Sequence, residues 1–131
     1  INENDNFNML KDAALAGNNK NTNKLLSDTA IESDKTFYYM NSINQRLFTL
    51  NELFSIKHKS IDQALSYLKP PIFWKDKPHV IEQARKWNKN KIENILRKTF
   101  DLEIKFKSNS ILSKNVAFKK LLVDICAQAN L

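Results

Sequence analysis

One glycine, three prolines and one cysteine are all that 131 residues hold of the types that most often interrupt or cross-link a chain. With Gly17 alone there is no glycine-rich loop to cradle a phosphate chain, which excludes a nucleotide triphosphate site of the usual kind within this sequence. A lone Cys126 excludes an internal disulfide; its place in the apolar segment LLVDICAQA makes it core packing and points to a reduced, intracellular setting, with a cytoplasmic location expected. The two histidines, His58 and His79, have no His or Cys neighbours at ligand spacing, so no metal and no cofactor is expected; His79, after Pro78 at a helix start, reads as a surface or capping residue. No apolar run approaches the roughly 20 residues that span a bilayer, so no membrane partner is expected. The opening INENDNF has neither an initiator Met nor a charged-then-apolar leader, and is read as the start of a piece of a longer protein.

What is present is an ordinary globular composition, 42% hydrophobic and 27% charged, in a length that suits one domain over residues 1–131. The charge is unevenly spread. Residues 1–56 carry five basic and seven acidic side chains, whereas residues 57–131 carry the remaining sixteen of 21 basic and seven of 14 acidic ones, net +9. A basic half is a hint of nucleic-acid contact, although eighteen of the basic residues are Lys, a bias that AT-rich coding also produces.

Between the few breakers, apolar residues recur at three- and four-residue spacing, which predicts an all-α bundle of five to seven helices. The first helix, from about Asp5, has Phe7, Leu10 and Ala14 on one face and stops at Gly17, a left-handed cap. The second is expected from about Thr22 to Ile31. Asp34 is expected to cap a long third helix whose stripe is Phe37, Met40, Ile43, Leu47, Leu50 and Phe54. Ser60 is expected to cap a short fourth helix with Ile61, Ala64, Leu65 and Leu68 inward. Pro70 and Pro71 end it, since neither offers an amide hydrogen and each disfavours helical geometry in the residue before it. Phe73 and Trp74 are expected to plug a gap between helices, making the turn a rigid corner, and Pro78 suits the first turn of a fifth helix. Asn88 is expected to cap a sixth helix with Ile92, Ile95, Leu96, Thr99, Leu102 and Phe106 on one face. A last helix begins near Ser113, with Phe118, Leu121, Leu122, Ile125, Cys126 and Ala129 inward.

Chemistry is sparse. Glu93, Asp101 and Glu103 lie on a Lys-laced amphipathic helix and read as solvated surface charge, so no catalytic constellation is found and no enzyme is expected. Two basic-aromatic stretches could stack on single-stranded bases, IFWKDK and KFKSNS. In the second, Lys105, Lys107 and Lys114 cluster at an inter-helix turn beside Phe106 and are the candidate DNA contact.

The order of features from Leu68 to Lys105 resembles the C-terminal domain of the delta subunit of bacterial DNA polymerase III. Pro70-Pro71 is followed by the aromatic pair Phe73-Trp74, then by Gln83 and Trp87 on one helix, then by a helix closing on Asp101, Leu102, Glu103, Ile104 and Lys105. LKDAALAGN, at Leu10 to Asn18, resembles the short helix and glycine turn that open the same domain. The resemblance implies function by assembly. Such a domain joins those of the other clamp-loader subunits, tau/gamma and delta-prime, in a circular collar. The loader places a sliding clamp on primer-template DNA, and the clamp is contacted through upstream domains absent here. On that reading Tyr38, Tyr39 and Phe48, off the main stripe of the third helix, are the subunit-interface candidates. The alternative is a free-standing basic helical domain that binds nucleic acid.

Overall fold

The structure, a computed structural model, describes residues 3–57, 60–109 and 113–131; His58 lies outside them. Among the described residues the chain forms seven α-helices and no strand: α1 Glu3–Leu15, α2 Asn19–Asp28, α3 Thr36–Ser55, α4 Ile61–Leu65, α5 Lys77–Ala84, α6 Lys89–Lys107 and α7 Lys114–Ala129. A 3₁₀ turn, Ser33–Lys35, leads into α3. The all-α expectation holds.

The local reasons are mostly those of capping. Gly17 has φ +71°, and the Asn18 and Gly17 amides donate to Ala13 O and Ala14 O, the paired bonds that close a helix through a left-handed residue. The side chains of Asn18, Ser60, Asn88 and Ser113 each accept from the amide three residues on and start α2, α4, α6 and α7. Pro78 occupies the first turn of α5. Two boundaries differ from expectation. Because Asn18 caps, α2 begins directly after the glycine turn and ends at Asp28, leaving Ile31 buried outside any helix. Asp34 sits inside the 3₁₀ turn rather than capping α3, whose start is tied instead by Thr36 Oγ1 donating to Ser33 O.

Helix α1 packs on α2 and α7, α3 on α6, and α6 on α7, around one hydrophobic core. The expected inward faces of α6 and α7 are the observed ones, with Cys126 buried among them. Tyr39 corrects an expectation: it is 1% exposed, its ring 4.3 Å from Phe7 and 5.5 Å from Phe118. The reason is that α3 is covered on a wide arc. Besides the stripe through Met40 and Leu47, a second one, Tyr39, Ile43, Arg46, Leu50 and Leu53 at spacings of four and three, is buried: Tyr39 meets Phe7 of α1 and Phe118 of α7, and Arg46 meets Asp12 of α1 and Gln83 of α5.

Phe73 and Trp74 correct another. They are 57% and 69% exposed and plug nothing. Ile72 is the turn's own residue packed against the core, and the buried Leu68 and Val80 line a groove beside it. The Asp76 amide donates to Phe73 O at 2.9 Å, closing a turn that carries both aromatics outward. Their rings lie 5.9 Å apart, with Lys75 Nζ 5.4 Å from the Trp74 ring centre.

Candidate functional site

Three buried polar side chains, Lys11, Arg46 and Gln83, gather where α1, α3 and α5 meet. Arg46 Nη1 donates to Asp12 Oδ1 at 2.7 Å and to Gln83 Oε1 at 2.9 Å. Gln83 Nε2 donates in turn to Asp12 Oδ1 at 3.1 Å and to Asp12 O at 3.3 Å, so both ends of its amide are used and the side chain is wholly buried. One turn further along, Trp87 Nε1 donates to Leu15 O at 2.7 Å, satisfying a carbonyl at the end of α1 that no helical partner can reach. Gln83 and Trp87 thus fasten α1 to the α5 segment at successive turns. Taking two ions out of water costs several kcal/mol per ion, roughly what their attraction returns, so the Asp12–Arg46 pair fixes the register of three helices more than it stabilises them.

Lys11, the neighbour of Asp12, is 7% exposed and donates to Ser42 Oγ on α3 at 2.9 Å. Burial lowers its pKa, and the Arg46 charge adds to the lowering. Asp76 Oδ2 stands 3.9 Å from Arg46 Nη2 at the edge of the cluster, and His79 Nε2 3.9 Å from Asp12 Oδ2. His79 is half exposed, in keeping with a surface role.

Above this cluster runs an open groove of about 500 Å³ between α3 and the Pro70–Pro71 turn. Lys11, Ser42 and Arg46 line its floor, and Tyr38, Phe48 and Phe73 are the aromatic residues along it. Tyr38 and Phe48 are 53% and 52% exposed. The structure therefore separates the three interface candidates: Tyr38 and Phe48 share the groove, while Tyr39 belongs to the core.

The three candidate DNA-contacting lysines are separated too. Lys107 Nζ and Lys114 Nζ lie 5.9 and 5.8 Å from the centre of the Phe37 ring, which meets Phe106 edge to face. Lys107 also reaches Glu103 at 3.3 Å. Lys105 faces the other side of α6, because two residues along a helix turn about 200°. There it lines a second groove, between α6 and α7, with Lys98, Lys120 and Asp124. Among the described residues no cluster of three or more His, Cys, Asp or Glu side chains could hold a metal, and no helix is long and apolar enough to cross a membrane.

The sequence reading missed Lys11, Asp12 and Arg46. A signal was present: Lys11 follows Leu10 on the inward face of α1, and Arg46 stands in the Tyr39–Leu53 stripe, so each is a cation at a core position. Comparison of the chain with family models, with curated proteins and with solved structures found no match.

Proposed function

We propose that the chain is an assembly module, the C-terminal collar domain of a bacterial clamp-loader delta subunit, which holds that subunit in the cytoplasmic loader that places the sliding clamp on primed DNA. The observation that carries the reading is the ordered string Pro70-Pro71, Phe73-Trp74, Gln83, Trp87 and Asp101–Lys105, together with what its members do. Gln83 and Trp87 fasten helices. Phe73 and Trp74 stay in solvent near the groove that also exposes Tyr38 and Phe48. Large aromatics held outward on a turn suit association with other proteins, where such residues contribute most of the binding energy. On this reading the partners are the tau/gamma and delta-prime subunits through their own helical C-terminal domains, clamp opening belongs to other parts of the subunit, and this domain catalyses nothing.

Light scattering after gel filtration, on this chain mixed with the C-terminal domains of tau/gamma and delta-prime from the same source, tests the reading. A stable mixed complex without DNA is expected, weakened by Tyr38→Ser and Phe48→Ser. Elution of every component at its own mass would reject it. A second reading, a nucleic-acid-binding domain, is favoured by Lys107 and Lys114 over the Phe37 ring, an arrangement that could pair phosphates and stack a base. It requires binding of single-stranded DNA by the chain alone, with affinity falling steeply as salt rises.

A further inference from the structure

The floor of the α3 groove holds more hydrogen-bond donors than acceptors. Among the described residues Lys11 Nζ has one hydrogen-bond partner, the Ser42 hydroxyl, although an ammonium carries three donors and Lys11 as a residue is only 7% exposed. The nearest carboxylate in sequence, Asp12, is committed to Arg46 and Gln83. Arg46 spends Nη1 on Asp12 and Gln83, and its Nη2 reaches Asp76 only at 3.9 Å, beyond hydrogen-bond distance. A buried cation left with one neutral partner is costly unless something else completes it. Both cations line an open groove whose other walls mix aromatic, aliphatic and proline side chains with polar ones, Lys69 among them.

We propose that this groove is a docking site for an acidic peptide segment, in which one carboxylate enters between α3 and the Pro70–Pro71 turn to take the remaining donors of Lys11, while apolar side chains beside it lie against Tyr38, Phe48 and Phe73. The chemistry selects peptide over nucleic acid. Lys69, Glu52 and Asp76 also line the groove, so its charges are of mixed sign, and a phosphodiester strand, charged at every step, meets the two carboxylates' repulsion repeatedly. A peptide with one carboxylate among apolar residues meets it once. The inference goes beyond the assembly reading and holds whether or not the partner is a replication subunit, so it is tested with peptides rather than with subunits.

The test is a two-dimensional amide NMR titration of the 131-residue chain. Three probes are used: an acetylated, amidated octapeptide with one Asp among Leu and Phe residues, the same peptide with Asn for Asp, and a single-stranded oligothymidine. The Asp peptide is expected to shift the amides of Ser42, Phe48 and Ile72, and to bind about tenfold more tightly than its Asn twin, the size of one charge-assisted contact. Lys11→Met is expected to erase that preference while leaving the helical circular dichroism intact. Phe48→Ala, at an exposed position that cannot unfold the core, weakens both peptides. Equal binding of the two peptides, no shift with either, or stronger shifts of the same amides by the oligothymidine would each overturn the proposal.

Discussion

Lys11 Nζ sits beside Ser42 Oγ inside the contact between α1 and α3, and burial holds its pKa below the ordinary lysine value of 10.5. Arg46 pushes it further down; Asp12 and Asp76 pull the other way without cancelling the shift. Folding therefore favours the neutral amine. Between the lowered pKa and 10.5 the unfolded chain binds more protons than the folded one, so the cost of this cation is full below that window and fades as pH rises through it. Lys11→Met keeps the length of the side chain and removes the charge. It is expected to stabilise the fold by about 1 kcal/mol at neutral pH, as replacements of buried ions by apolar side chains often do. Urea unfolding across the pH range checks this: the advantage over wild type should shrink toward pH 10.5, and a variant less stable than wild type at neutral pH would refute the argument. A side chain that costs stability where a Met would not is the kind of residue that binding, rather than folding, explains.

At the scale of elements, the turn between α1 and α2 is where a single residue type is demanded. Gly17 is left-handed at φ +71°, and a Cβ there would stand 2.5 Å from Asn130 Oδ1. Asn130 is itself engaged: its Nδ2 donates to Gly17 O at 2.8 Å and to Cys126 O at 3.2 Å, tying the end of α7 to the end of α1. Gly17→Ala therefore meets the left-handed penalty of about 1–2 kcal/mol and also displaces the Asn130 clasp. A thermal melt should show a midpoint lower by several degrees, and an unchanged midpoint would mean that the turn is not held as described. The caps at Asn18, Ser60, Asn88 and Ser113 show how far local chemistry reaches. Two of the four, Ser60 and Asn88, were legible as caps, and Ser113 as the start of α7, because a short polar side chain directly precedes an amphipathic run. Asn18 was not, because it stands in a polar stretch, NNKNTN, where periodicity gives no start signal and only the position of Gly17 sets the phase.

At the scale of the whole molecule, the outward aromatics separate stability from association. Phe73 and Trp74 touch little of the core, so replacing both by Ser is expected to move folding stability by no more than about 0.5 kcal/mol. Chemical denaturation checks that figure; a loss of several kcal/mol would mean that the pair packs after all. The sequence by itself determined the fold class, the inward faces of α6 and α7, the glycine stop and the proline punctuation. These follow from spacing along one helix or from the backbone demands of one residue type, which act within a few positions. Only the tertiary structure decided that Tyr39 is core, that Phe73 and Trp74 face water, and that Lys11, Asp12, Arg46 and Gln83 meet. Each of those outcomes depends on which helix lies against which flank and on what already fills the space between them, and that is settled by packing across dozens of residues of sequence rather than within any one segment.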